Sequence, residues 1–151
     1  MTTLNESTLN HRVLRILGSD QGSKKKSVTA NDLRMLVLKG YPFSTFEAVQ
    51  KEIDLPQNQL SDILGITAST IARRKKDRKP LTALESDRLY RVAHVLAIAV
   101  DVLDDAEKAR TWLKRSNRGL GGEIPLTLLG TDIGTSQVED ELQRIKYGIY
   151  S

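Results

Sequence analysis

The sequence predicts an all-α protein, and three observations carry that prediction. Leu89, Val92, Leu96, Val100 and Leu103 recur at spacings of three and four, the stripe that one face of a long helix needs to enter a core. A Ser or Thr followed three residues later by Glu marks helix starts at Ser44–Glu47, Thr82–Glu85 and Ser136–Glu139. Alternating apolar–polar runs of the kind strands require are few.

Residues 1–28 are weakly patterned. Leu9, Val13, Leu14, Ile16 and Leu17 suit a short helical turn, and residues 18–27, GSDQGSKKKS, suit a flexible basic linker in which Lys24, Lys25 and Lys26 form a solvated arm. A poorly ordered N-terminal arm and linker is therefore expected over 1–28. Leu33, Leu36 and Val37 then share a helix face that Gly40 ends. The box at Ser44 opens a helix carrying Phe46, Val49 and Ile53, and Leu55-Pro56 opens another carrying Leu60, Ile63 and Leu64. Gly65 breaks it, and a further helix runs from about Ser69 to Lys76.

The box at Thr82 starts the long helix. Asp104-Asp105 ends it and caps the next, which holds Ala109, Trp112 and Leu113. Residues 118–124 form a Gly-rich turn, Pro125 sits at the first turn of a short piece that Gly130 ends, and the box at Ser136 opens a final helix with Val138, Leu142 and Ile145. Residues 29–81 and 82–151 are expected to form two helical units after the arm.

Composition narrows the function. The chain has 151 residues, 39% hydrophobic and 28% charged, which fits an ordinary globular protein of one domain or two small ones. The longest apolar stretch, Val92 to Leu103, contains His94 and Asp101, so no membrane span is expected. The opening MTTLNEST lacks a charged-then-apolar signal pattern, so a cytoplasmic protein is expected. Cysteine is absent, which removes disulfides and thiolate metal sites.

No nucleophile–base pairing or metal-ligand spacing stands out, so neither an enzyme nor a cofactor is expected. His94 reads as a partly buried helix residue, and Asp104-Asp105 as caps rather than an acid/base pair. The turn Gly119-Leu120-Gly121-Gly122, with Arg115 and Arg118 nearby, could be a phosphate cradle of a small nucleotide-binding enzyme. Without a preceding strand it reads better as a chain reversal between the Trp112 helix and Pro125.

The net charge of +4 is concentrated locally. Residues 73–79, RRKKDRK, set Arg73, Arg74, Lys75, Lys76, Arg78 and Lys79 against Asp77 alone, whereas the stretch from Asp132 onward is acidic. Residues 57–76, QNQLSDILGITASTIARRKK, resemble a helix-turn-helix of the Xre/Cro-repressor type. Leu60, Leu64, Ile66 and Ile71 would hold its two helices together, with Gly65 in the tight turn.

The resemblance places Thr67, Ser69, Thr70, Arg73, Arg74, Lys75, Lys76 and Arg78 at operator DNA, with Ser69, Thr70 and Arg73 nearest the base edges. Two positions depart from the usual pattern. Ser61 stands where Ala is usual, tolerable if its hydroxyl bonds back to a helix carbonyl. Arg74 stands where an apolar residue is common; its stem can pack while its head reaches phosphate.

The C-terminal block carries a second resemblance. Trp112-Leu113, Asn117, Leu120-Gly121-Gly122, Pro125-Leu126, Leu129, Thr131, Gly134 and Ile145-Lys146-Tyr147-Gly148 resemble the toxin-binding domain of the Xre/MbcA/ParS antitoxins of Xre–RES toxin–antitoxin pairs. The resemblance implies a RES-domain toxin that destroys NAD as partner. It also implies that the antitoxin's C-terminal segment occludes the toxin's active site. That role would fall on Lys146, Tyr147, Gly148, Ile149, Tyr150 and Ser151, while Ile145 continues the core stripe of Val138 and Leu142.

Autorepression through a pseudo-palindromic operator implies a homodimer, with its apolar surface on the 82–103 helix or its neighbours. The rival is a plain helix-turn-helix regulator whose C-terminal part only dimerises.

Overall fold

A computed structural model describes residues 5–19 and 27–148. In chain order the helices are α1 Glu6–Ile16, α2 Ala30–Lys39, α3 Phe43–Ile53, α4 Gln57–Leu64, α5 Ala68–Asp77, α6 Ala83–Leu103 and α7 Ala106–Lys114. Two 3₁₀ turns, Arg118–Leu120 and Pro125–Leu128, then lead into α8 Asp132–Lys146. No strand occurs among the described residues, and the all-α prediction is met.

The 21-residue α6 is the spine. Its capping box closes as predicted: the Thr82 hydroxyl accepts from Glu85 N at 3.1 Å, and Glu85 Oε1 accepts from Thr82 N at 2.8 Å. Such a cap stabilises a helix by about 1 kcal/mol. Leu89, Val92, Val95, Leu96 and Ala99 are all buried. One side of α6 packs on α1, α2, α3 and α4, and the other on α7 and α8. A helix buried on so many sides serves both halves of the chain. Asp104 ends it in the left-handed conformation, and the Asp105 side chain caps α7 by accepting from Lys108 N.

The structure corrects the expectation of a loose arm before residue 29. Residues 6–16 form a full helix, and Val13, Leu14, Ile16 and Leu17 are buried in the common core. Long-range polar bonds fix it in place. The buried Asn10 donates through Nδ2 to Val28 O at 2.8 Å, and Val28 N donates to Ser7 Oγ at 3.3 Å. The Lys24–Lys26 run falls outside the described residues.

Two of the three expected boxes are also corrected. α3 starts at Phe43, behind Pro42 and without a side-chain cap, so Ser44 already lies inside the helix. The cause is burial: Phe43 stacks on Phe46 at 5.3 Å between ring centroids. α8 starts at Asp132, capped by Thr131, whose hydroxyl accepts from Gly134 N at 2.9 Å, so Ser136 is a mid-helix residue. Gly134 allows this start. Any Cβ at that position would run into the Leu128 carbonyl oxygen, so the first turn of α8 abuts the preceding 3₁₀ turn only because the residue is glycine.

Because α1 is part of the core, Leu17→Ala should cost about 2–5 kcal/mol of unfolding free energy. Urea denaturation followed by circular dichroism measures it; an unchanged midpoint would return this segment to an unanchored arm.

Candidate functional site

The pair α4–α5 has the predicted helix-turn-helix geometry. Gly65 caps α4 with φ 70° and ψ 28°, the left-handed conformation glycine adopts at least cost. The Ser61 hydroxyl donates back to Asn58 O at 3.0 Å, which makes the buried Ser tolerable where Ala is usual. Arg88 on α6 lies over the turn and donates from Nη1 to Leu64 O at 2.9 Å, satisfying an orphan carbonyl at the C-terminus of α4. A Cβ at Gly65 would approach that nitrogen to 2.8 Å, so the glycine also makes room for the arginine.

On α5, Ile71 is fully buried and sets the orientation of the helix. Ser69, Arg73 and Lys76 lie at i, i+4 and i+7 on the opposite side, and all three are exposed. Lys75 and Arg78 are exposed too; Arg78 approaches Glu47 only to 3.9 Å, a solvent-screened pairing worth little. Thr67 caps the helix, accepting from Thr70 N at 3.3 Å. It also shares a hydroxyl cluster with Thr70 (2.9 Å) and Ser69 (3.2 Å).

Arg74 differs from its neighbours. Its stem packs as expected, but its head is hydrogen-bonded to Glu85 Oε1, and both side chains are largely buried. Burial, and then the Arg73 charge beside it, lowers the pKa of the Arg74 guanidinium. Arg74 and Arg88 thus both tie the helix-turn-helix to α6.

The opposite end of the molecule is built by α6, α7 and α8. Lys114 donates to Asp54 O at 2.6 Å, a cation placed at the C-terminus of α3 that fastens α7 there. Lys146, at the end of α8, turns inward with Nζ 3.9 Å from Asp101 Oδ2 on α6, and both side chains are mostly buried. Ile145 is half-buried against the core. Tyr147 then stands 64% exposed, and Gly148 has φ 67°, which turns the chain out of the helical path. Ile149, Tyr150 and Ser151 lie outside the described residues. The structure therefore separates Lys146, drawn in to Asp101, from Tyr147, which stands exposed with its ring 5.7 Å from Lys146 Nζ.

The Gly-rich turn is organised by its own polar groups. Asn117 accepts from Gly119 N at 2.8 Å through its side chain and from Gly122 N at 2.9 Å through its carbonyl. The Glu141 carboxylate presses against Gly119 so closely that a Cβ would collide with it. That carboxylate is itself paired with Arg144 Nη1 at 2.8 Å, and together these contacts hold the turn as a chain reversal. Trp112 is half-buried against the core, and His94 is partly buried, stacked on Tyr90 and 3.5 Å from Glu139. No described helix is long and apolar enough to cross a membrane.

Comparison with known proteins decides the family. Residues 32–94 match the antitoxin Xre-like helix-turn-helix domain, and residues 99–148 match the antitoxin Xre/MbcA/ParS C-terminal toxin-binding domain. The chain is 32% identical over 120 residues to the antitoxin Xre of Photorhabdus laumondii, covering 79% of this chain and 81% of that protein. This chain belongs to the Xre antitoxin family.

It is also 41% identical over 83 residues to the antitoxin Xre of Pseudomonas putida, covering 55% of this chain and 52% of that one. A more distant relative is the Prs ADP-ribosylating antitoxin of Sphingobium, 23% identical over 139 residues, 86% of this chain and 79% of that one. In this Xre-family protein the two domain matches meet within α6, the helix whose first turns hold α4 and α5 and whose last turns hold α8.

Sequence patterning alone does not single out Glu85, Arg88 and Asp101 as supports of the two candidate sites. Arg74→Ala should lower unfolding free energy by about 1–3 kcal/mol by leaving Glu85 without its cation. Arg73→Ala, on the exposed face, should leave the melting curve unchanged. Equal melting curves for the two variants would show that the Arg74–Glu85 bond does not hold the helix.

Proposed function

We propose that this antitoxin binds a RES-type, NAD-degrading toxin through its C-terminal segment and blocks the toxin's active site, and that it binds operator DNA as a homodimer to repress its own transcription. The observation that carries the toxin-binding role is the end of α8. Asp101 holds Lys146, Gly148 redirects the chain, and Tyr147 is presented to solvent at the limit of the toxin-binding-domain match. A tyrosine offers large, rigid surface with a hydroxyl that can bond inside a pocket lined by polar groups. The same role is assigned to Ile149, Tyr150 and Ser151, and Lys146 positions Tyr147.

The inhibition is steric and electrostatic. The antitoxin contributes no reaction of its own, needs no cofactor, and works in the cytoplasm, where an NAD-consuming toxin would act. That the Sphingobium relative's name also pairs an antitoxin with ADP-ribosylation supports placing the chain in a toxin–antitoxin system.

For DNA, the outward stripe Ser69–Arg73–Lys76 enters the major groove. Thr67 and Thr70 shape the N-terminus of α5, while Lys75 and Arg78 neutralise phosphates. Arg74 serves instead as the internal anchor of the reading helix. The plain-regulator alternative lacks support from the exposed, redirected tip, which dimerisation alone does not require.

Two measurements test the two activities separately. Removing residues from Tyr147 onward should abolish protection of cells expressing the toxin while leaving operator binding intact; survival with the shortened chain would refute occlusion by this segment. Arg73→Ala with Lys76→Ala should weaken operator binding and flatten the slope of log affinity against log salt by about 0.9 for each phosphate the variant no longer neutralises. The same variant should still neutralise toxin. An unchanged slope in gel-shift titrations would move the DNA surface off α5.

A further inference from the structure

The two most exposed large hydrophobic side chains among the described residues sit on one helix. Ile133 in the first turn of α8 is 76% exposed, and Tyr147 at its C-terminal cap is 64% exposed. They stand at i and i+14, about 3.9 turns, so they share a face with about 21 Å of helix between them. Gln137, Asp140 and Arg144 fall between them at i+4, i+7 and i+11, and all three are exposed. At 100° per residue the five lie within about 80° of arc and form one outer ridge. Val138 and Leu142, which bury α8 in the core, lie on the opposite side.

A depression of about 370 Å³ runs beside the ridge. It is lined by Gln137, Asp140 and Arg144 from α8 and by Gly119, Leu120 and Gly121 of the Gly-rich turn. Gly121 has open space where a side chain would begin, so the turn offers bare backbone at the rim. Glu141 abuts Gly119 and accepts from Arg144 Nη1 at 2.8 Å, which locks the turn to the ridge as one preformed surface. A single exposed isoleucine is ordinary on a protein surface. One that begins a continuous ridge ending in an exposed tyrosine is the far anchor of an interface.

We infer that this ridge and its flanking turn are the surface that grips the toxin, and that occlusion belongs to the segment from Tyr147 onward. Affinity is spread along α8 as far as Ile133, whereas inhibition depends on the tip. The inference rests on the toxin-occlusion reading above and divides its site into two parts.

Three observations favour the toxin over a second copy or DNA. The ridge lies within residues 99–148, the part that matches a toxin-binding domain. It runs without interruption into Tyr147. Its charge is wrong for the other two occupants. Glu123, Asp132 and Asp140 are exposed on or beside the ridge, and Arg144 is already matched by Glu141. Duplex DNA would be repelled, and a second copy would set acid against acid. A toxin that degrades a dinucleotide needs cations to hold two phosphates, so the mouth of its site carries positive potential. An acidic ridge is attracted to that mouth, and Ile133 adds an apolar anchor at the end away from the tip.

Binding and inhibition are measured separately on the purified cognate toxin. Affinity is read on immobilised toxin with the full-length antitoxin, and inhibition is read from NAD consumption. Ile133→Glu should weaken affinity by about 10–100-fold. Its helical spectrum, melting point and operator binding should not change, since the side chain is exposed. Asp140→Lys should also weaken affinity and flatten its dependence on salt. The chain ending at Lys146 should still bind the toxin, more weakly than wild type, yet fail to inhibit it.

Wild-type affinity in Ile133→Glu, or no measurable binding by the shortened chain, would overturn the proposal. So would a halved mass of free Ile133→Glu in light scattering, which would give the ridge to a second copy. A shortened chain that still inhibits would refute occlusion by the tip. The affinity of Ile133→Glu does not depend on that outcome, so the two failures are told apart.

Discussion

One carboxylate oxygen, Oε1 of Glu85, does two things that the rest of the architecture relies on. It accepts from Thr82 N and so closes the capping box that starts α6, and it accepts from Arg74 and so ties α5, the second helix of the helix-turn-helix, to that start. Desolvating an ion pair offsets much of its attraction, so such a pair does little for net stability while both partners are present. Removing one partner is costly, because the other charge is left buried. What the pair specifies is position. With Arg88 holding the C-terminus of α4, it sets both helices of the turn against the first two turns of α6. The burial of Ile71 is a further constraint on the orientation of α5.

The same logic separates cations that look alike in the sequence. Arg73, Arg74, Lys75 and Lys76 are consecutive, yet helical geometry sends Arg74 to the protein and Arg73 and Lys76 to solvent. At the far end Lys146 and Tyr147 are neighbours, yet Lys146 is drawn in to Asp101 while Tyr147 stands out. In both places a buried counter-charge on α6 decides which residue becomes scaffold and which is left exposed to solvent. Charge runs and aromatic tips are visible in a sequence; the buried acid that removes one member from service is not.

That contrast also describes how far the fold is legible in the sequence. The stripe on α6, the box at Thr82–Glu85, the stop at Gly65 and the caps at Asp104-Asp105 follow from local spacing, and all are present. The boxes at Ser44 and Ser136 have the right letters in the wrong place. Burial of Phe43 pulls the start of α3 forward, and the fit of Gly134 against Leu128 O starts α8 at Asp132, where a glycine reads as a breaker. Helix α1 escapes local spacing for a third reason. Its apolar residues look like a fragment because what they pack on, and the Val28 carbonyl that Asn10 reaches, lie outside any local window. Tertiary burial, rather than propensity, settles each of these cases.

A single helix shared by two functional ends constrains how those ends can communicate. The Xre-like and toxin-binding domain matches meet inside α6, with no flexible linker between them. Its first turns are bonded to α4 and α5, its middle is buried against α1, α2 and α3, and its last turns are bonded to α8. Transmitting a signal by conformational change requires an element with two arrangements whose balance both sites bias. A helix fixed along its whole length is poorly suited to that. It is well suited to acting as a spacer, holding the toxin-binding domain at a set distance and angle from the helix-turn-helix. Any influence of a bound partner on DNA binding would then arise from where the partner's bulk falls beside the duplex, a matter of geometry rather than of a switched fold.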